Sequence, residues 1–429
     1  MSSEWRTVRL SEVASEVTVG FVGTMANEYV DSGIPFLRSL NVDRFKINTC
    51  DIRYISQDFH SRISKSRLRP GDVVIVRTGK PGTCAVIPEE LHDSNCSDLV
   101  IVRCGAEILN QFFCYYVNSA ASNHIAAHLV GAVQQHFNVA SAKAMEIPLP
   151  SLGEQKAIAH ILSTLDDKIE LNCKTNETLE AMAKALFKSW FVDFDPVRAK
   201  AEGRPTGLPN EISDLFPDSF EDSELGEIPS GWRTGSLDEI ALNPRATAKP
   251  GEMDPTDRYI GLEHMPRGSI CLGESGEAEE LESNKNRFRE GDILYGKLRP
   301  YFKKTGYAQF DGVCSTDIVV TRKKGDSGTG FICCLLASDP FIDFTVAAST
   351  GTRMPRTSWG DMCEFPIAIP TPRLLEEFDV QFYPLIERIK MSCEYSARLS
   401  SVRDTLLPKL ISGEIRIPDA ERMLEEVGV

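Results

Sequence analysis

The chain has little of what would mark an enzyme, a secreted scaffold or a membrane protein. Its 12 cysteines include no C-x-x-C pair, so zinc-ligand spacing is absent and the thiols are expected to be reduced and mostly buried. Purely apolar runs such as Val73–Val76 fall far short of the ~18–20 residues a bilayer span needs. The start, Met1-Ser-Ser-Glu-Trp-Arg, offers no apolar core to a signal peptide, and the chain is expected in the cytoplasm. No G-x-S-x-G or H-E-x-x-H is present. Arg77-Thr-Gly-Lys-Pro-Gly82 holds a Gly-Lys pair, but Val74 stands where a P-loop needs its first glycine. No Asn-Pro-Pro-aromatic run exists, Asn243-Pro-Arg being only a turn signal. Asp218, Glu221, Asp222 and Glu224 cluster without the lysine of a metal nuclease. His124 and His128, one helical turn apart, have neither a third ligand nor an adjacent glutamate. No metal, no cofactor and no catalytic centre are expected in this chain.

What is present is ordinary globular material, with 42% hydrophobic and 25% charged residues. The 429 residues are enough for two to four domains of roughly 100–200 residues. A net charge of −15 argues against binding nucleic acid by bulk charge, though not against local basic surfaces.

The sequence is written twice. Trp5-Arg-Thr-Val-Arg-Leu-Ser-Glu-Val-Ala14 matches Trp232-Arg-Thr-Gly-Ser-Leu-Asp-Glu-Ile-Ala241 at six of ten positions, offset by 227. Arg69-Pro-Gly-Asp-Val-Val-Ile-Val76 matches Arg289-Glu-Gly-Asp-Ile-Leu-Tyr-Gly296 at an offset of 220. Ser97-Asp-Leu-Val-Ile-Val-Arg103 resembles Thr316-Asp-Ile-Val-Val-Thr-Arg322, and Leu149-Pro150 returns as Ile369-Pro370. Matches in one order at nearly one offset indicate a tandem duplication.

Each copy opens with short β-branched runs punctuated by Gly, Pro, Asn and Asp, read as an α+β domain with strands at 73–76, 99–102, 293–295 and 318–321. Each copy then continues into a long helix. The first carries a seam through Ile158, Leu162, Leu165, Ile169, Asn172, Asn176, Leu179, Ala183, Leu186 and Trp190. The second repeats it 220 residues on, through Phe378, Phe382, Leu385, Ile389, Ser392, Ser396, Leu399, Arg403, Leu406 and Leu410. Alternating steps of four and three over this length are a coiled-coil signal, and matched polar positions fix its register. Antiparallel pairing would give the rod pseudo-two-fold symmetry. Thirty-eight helical residues span ~57 Å at ~1.5 Å each, or one to one and a half turns of DNA at ~34 Å per turn. The expected domains are 1–152, a helical region 153–194, an extended acidic Pro-rich connector 195–226, a second α+β domain 227–371, and a second helical region 372–429.

Local positive charge falls at the same place in both copies. Residues 62–80 contribute Arg62, Lys65, Arg67, Arg77 and Lys80; residues 285–304 contribute Lys285, Arg287, Lys297, Arg299, Lys303 and Lys304, with Tyr301 among them. Both stretches run into a Gly/Pro-containing loop. A second polar loop follows in each copy, offering Gln134, Gln135 and Asn138 in one and Arg353 and Arg356 in the other. Gln and Asn suit adenine, and Arg suits guanine or phosphate. Different loops on one scaffold point to a bipartite, asymmetric DNA target.

The chain as a whole resembles the specificity (S) subunits of type I restriction–modification systems. The resemblance rests on Ile147-Pro-Leu-Pro150 with Glu154-Gln-Lys-Ala-Ile-Ala159, on Leu186-Phe-Lys-Ser-Trp-Phe-Val-Asp-Phe-Asp-Pro196, on Glu224-Leu-Gly-Glu-Ile-Pro-Ser-Gly-Trp232, and on Leu406-Leu-Pro-Lys-Leu-Ile-Ser-Gly-Glu-Ile415. At the second helix start, Pro370-Thr-Pro-Arg-Leu-Leu-Glu-Glu replaces the Glu-Gln form. The resemblance implies two target recognition domains alternating with two helical regions, which recruit two methyltransferase (M) subunits holding S-adenosylmethionine. It further implies restriction (R) subunits using ATP and Mg2+, with double-stranded DNA as the common ligand. Two other readings are a stand-alone DNA-binding adaptor or regulator and an enzyme with an unrecognised active site.

Overall fold

The computed structural model describes residues 5–49, 51–120, 125, 137–279, 281–351 and 354–427. The chain divides into two compact units, Met1–Lys168 with Leu399–Val429, and Ile169–Arg398. Two helices, Leu152–Phe191 and Pro372–Ser412, each cross the division, so either unit holds the start of one helix and the end of the other.

In the first unit, a four-stranded antiparallel sheet runs Ala14–Val19, Leu99–Cys104, Val73–Val76, Cys84–Val86. A five-stranded sheet runs Tyr29–Val30, Arg53–Ile55, Ile34–Leu37, Ser94–Cys96, Arg67–Leu68, with one parallel pair, Ile34–Leu37 on Ser94–Cys96. Alternation assigns the faces: Val74, Val76, Leu99 and Ile101 pack with Leu37, Leu68 and Cys96 from the other sheet. Val73 and Ile75 are also fully buried, and the helix Asn110–Ser119 packs on that side, as the continuous Val73–Val76 run requires.

The second unit repeats the four-stranded order and the centre of the five-stranded sheet, but its short early strand Thr247–Ala248 sits on the opposite edge from Tyr29–Val30. Ala241–Leu242, Ile318–Lys323, Ile293–Gly296 and Thr305–Tyr307 form its four-stranded sheet. Its five-stranded sheet runs Thr247–Ala248, Lys285–Phe288, Gly312–Cys314, Arg258–Ile260, Gly276–Glu277, and again holds one parallel pair. Even the pairing corresponds, Arg67 with Asn95 and Leu68 with Ser94 being matched by Arg287 with Val313 and Phe288 with Gly312. The duplicated Arg-x-Gly-Asp motif is a structural turn. Gly71 and Gly291 adopt left-handed φ of 85° and 86°. Asp72 and Asp292 accept the amides of Arg69 and Arg289 at 3.0 and 2.8 Å and bind Arg103 and Arg322.

The long helices follow the expected seam, none of whose positions is exposed. In the second unit they run antiparallel: Asn172 donates to Ser396 at 2.9 Å, Asn176 to Cys393 at 3.4 Å, and Phe187 meets Phe378. In the first unit, Asp166 binds the seam residue Arg403 at 2.7 Å and also accepts the Tyr115 hydroxyl at 2.6 Å. The second helix forms its first turn despite lacking the Glu-Gln form. In the first unit, buried Gln155 takes the Leu109 amide at 2.8 Å. In the second, Asp379 one turn later takes the amides of Gly328, Thr329 and Gly330 at 2.7, 3.3 and 2.7 Å.

Residues 195–226 are not an extended connector. They form helices Asp195–Ala201 and Asn210–Ser213 and the hairpin of Phe220–Ser223 with Gly226–Pro229. Val197, Phe216 and Ile228 are buried in the core of the second unit, and the eight acidic residues of 195–226 face water. The apolar residues between the acids provide the burial that composition alone conceals. Among the described residues no single helix is long and apolar enough to cross a membrane.

Phe378 is fully buried, its ring 5.0 Å from Phe191 and 5.7 Å from Trp190. Phe378→Ala is expected to cost about 3–5 kcal/mol in chemical denaturation, whereas Val380→Ala, 60% exposed on the same helix, stays within ~0.5 kcal/mol.

Candidate nucleic-acid interface

In each unit the two polar loops singled out by sequence are joined through the main chain. In the first, the Phe137 amide donates to the Arg77 carbonyl at 3.1 Å, and Arg77 Nε returns a bond to the Phe137 carbonyl at 3.1 Å. In the second, the Thr357 amide donates to the Lys297 carbonyl at 3.1 Å and the Arg299 amide to Pro355 at 2.8 Å. One aspartate per unit fastens the pair. Asp98 takes Arg77 at 2.8 Å and the Thr78 hydroxyl at 2.7 Å; Asp317 takes Arg356 at 2.6 Å.

In the first unit, Arg77 is a brace, its side chain only 14% exposed. Lys80 is exposed beside Gly79, whose φ of 89° turns the loop. Lys65 is exposed, Arg62 lies over the Phe59 ring and reaches Glu28 at 3.4 Å, and Arg67 is held by Asp93 at 2.6 Å. Asn138 caps the helix Val139–Lys143, accepting the Ser141 amide at 2.9 Å, so its carbonyl oxygen is committed to structure. Gln134 and Gln135 lie outside the described residues, as do His124, His128 and Arg353.

In the second unit, the structure gathers Lys297, Arg299, Lys304 and Arg356 on the joined loops. Burial, then neighbouring Arg356, hold the Lys297 ammonium below its ordinary value against the pull of Asp317. Burial and Arg267 do the same to Lys304, which donates to the Leu262 carbonyl. Crowded cations of depressed basicity are poised to receive an anion. Tyr301 is exposed at the loop tip, and Lys303 pairs with Asp339 at 2.6 Å. Lys285 does not belong to this surface: it is 7% exposed and donates to Ser283 Oγ at 2.6 Å. Its strand turns it inward, a consequence of the period-2 alternation that a count of charges ignores. Arg287 points outward, to the Glu252 carbonyl at 2.6 Å and Asp257 at 3.7 Å.

Residues 2–181 match the family model described as type I restriction modification DNA specificity domain. The MjaIX specificity subunit of Methanocaldococcus jannaschii is 24% identical, over 97% of this chain and 94% of its own length. The HindI specificity subunit of Haemophilus influenzae is also 24% identical, over 96% and 100%. Over nearly its whole length the chain is similar to type I restriction enzyme specificity subunits. A crystal structure of the S subunit from M. genitalium shares the fold, with a TM-score of 0.52 and 14% identity over 95% of this chain and 96% of that one. The matched model and these relatives are named for DNA specificity in type I restriction enzymes. Among the described residues no group of side chains forms a metal site.

Sequence reading missed two parts of this candidate surface. Arg267, 35 residues before Phe302 in sequence, lies over that ring at 3.9 Å, with Arg299 near the same ring at 5.8 Å. Nothing in a linear window signals that approach. Asp98 and Asp317 did carry a signal, since both stand in the repeated Ser/Thr-Asp segment, but their role in fastening loops is visible only in three dimensions.

Because the folded state lowers the Lys297 basicity, its charge costs stability at neutral pH, and that cost is relieved as pH rises through the lowered value. Lys297→Met is therefore expected to raise the melting temperature at pH 7, with the gain shrinking toward pH 10. The same variant should reduce the salt slope of DNA binding by about one, measured by fluorescence anisotropy across a salt series.

Proposed function

We propose that this chain reads a bipartite, asymmetric DNA target, with residues 1–152 and 227–371 as its two target recognition domains. The joined loops of each unit would contact the bases or phosphates of one half-site: Lys80 with the loop ending at Asn138 in the first domain, and Lys297, Arg299, Tyr301 and Arg356 in the second. The observation that carries this reading is the recurrence of one loop–loop arrangement with different side chains. A conserved main-chain frame holds the loops, while Arg77 with Phe137 in one unit is replaced by Lys297 with Thr357 in the other. A frame that stays constant while its presented groups change is what reading two unlike half-sites requires.

The partners follow from the same reading. The chain would recruit two methyltransferase subunits, through the outer faces of the two helical regions (153–194 and 372–429) and the flanks of the readers. Restriction subunits would complete the complex. S-adenosylmethionine would belong to the methyltransferase subunits, and ATP with Mg2+ to the restriction subunits. The complex would work in the cytoplasm, where the cell's DNA is open to it. The net charge of −15 is compatible with this arrangement, because partner subunits can supply much of the phosphate-binding charge.

Co-expression with the cognate methyltransferase, followed by sequencing of host DNA for N6-methyladenine, tests the proposal. A split motif is expected to appear only with this chain present. Arg356→Ala should relax or abolish one half of the motif and leave the other intact, a wrong base pair costing about 1–3 kcal/mol where a bidentate contact is lost. Methylation that persists unchanged without the chain, or a motif altered on both sides by Arg356→Ala, would contradict it.

A further inference from the structure

Most of the described cysteines fit the expectation of inert core thiols: Cys84, Cys96, Cys114, Cys314, Cys333 and Cys334 are buried. Cys84 and Cys114 even touch, at 3.6 Å between sulfurs, yet burial pushes the Cys84 thiol up and keeps it protonated. A second pair in the second unit is different. Cys271 Sγ and Cys393 Sγ lie 2.7 Å apart, and both residues are half-buried rather than sealed. Cys271 follows Ser269 and Ile270, a segment held by Glu180 of the first long helix through the Ser269 hydroxyl at 2.5 Å and the amides of Ile270 and Cys271 at 3.0 and 3.2 Å. Cys393 sits on the second long helix, where Asn176 donates to its sulfur at 3.4 Å.

We propose that Cys271 and Cys393 form a modification site, a peroxide-sensitive pair that closes to a disulfide and locks residues 269–271 onto the second long helix. Cys393 is the group that reacts first. The Cys271 S–H and, less, the Asn176 N–H stabilise its thiolate, drawing the Cys393 thiol below its ordinary value against burial, Glu180 and Glu394. The thiolate attacks one oxygen of hydrogen peroxide, the O–O bond breaks, and with one proton taken up the products are a Cys393 sulfenic acid and water. The Cys271 sulfur then attacks the Cys393 sulfur. The S–O bond breaks, the S–S bond forms, and the Cys271 proton leaves with the hydroxide as a second water. Two thiols are oxidised and one peroxide is reduced. Small cytosolic thiols reverse the bond by exchange, so the reduced form is the resting state. Because the partners stand 122 positions apart in sequence, the bond closes a long loop in the unfolded chain and stabilises the folded one.

The test uses the full chain. It is treated with hydrogen peroxide, free thiols are blocked with N-ethylmaleimide, and peptides are mapped by mass. A crosslinked peptide pair containing Cys271 and Cys393 is expected, lighter by about 2 Da than the sum of its thiols and reversed by dithiothreitol. The unfolding midpoint should rise by at least ~5 °C on oxidation. Cys271→Ser and Cys393→Ser should each abolish both effects, and Cys173→Ser, on the exposed side of the first long helix, should leave them. Should a variant fail to fold, alkylation rates on the untreated native chain decide, Cys393 reacting first among the cysteines of the second unit other than exposed Cys173. Recovery of Cys271 and Cys393 as alkylated thiols after peroxide, or a crosslink running instead to Cys173, would overturn the proposal.

Discussion

Each compact unit is completed by a helix end supplied from the other repeat, and the rest of the structure depends on that exchange. In the second unit the last turns of the first long helix are core rather than surface: Phe187, Trp190 and Phe191 pack on Phe331, Phe378 and Trp232. In the first unit the end of the second helix buries Leu406, Leu407, Leu410 and Ile411, while Arg403 lies over Phe45 and binds Asp166. The aromatic cluster excludes water over an area no isolated half-helix could cover. Neither repeat therefore contains everything its own fold needs, and the chain must be complete for either loop platform to be held in place.

The helices and the duplication were legible because they obey simple periods. A seam displaced by 220 residues, polar at the same two places, is visible in one dimension, and the structure pairs Asn172 with Ser396 there. The loops were legible as basic, Gly/Pro-containing segments recurring at one place. Composition failed where residues of opposite tendency alternate. Residues 195–226 look like a linker because acids and prolines stand out in the sequence, while Val197 and Phe216, both in the core, anchor the segment. Lys285 and Asn138 failed for a related reason. Strand alternation buries the first and helix capping occupies the second, and neither effect can be read from residue type.

The repeat also separates what is kept for folding from what is free to vary. The Arg-x-Gly-Asp turn, the buried Asp–Arg pair and the parallel strand pair recur with matching register. The side chains on the joined loops do not recur. In the second unit Lys297, Arg299 and Arg356 share the joined loops, and burial with neighbouring Arg356 lowers the Lys297 basicity.

The central claim is that DNA is read at the joined loops and not on the sheets or the acidic segment. Hydrogen–deuterium exchange of the subunit complex, with and without its target duplex, tests this directly. Protection is predicted in residues 77–82 and 137–138 of the first unit and 297–304 and 354–358 of the second, with 210–227 unchanged. Protection confined to one unit, or falling on the five-stranded sheets while the loops stay open, would contradict the account.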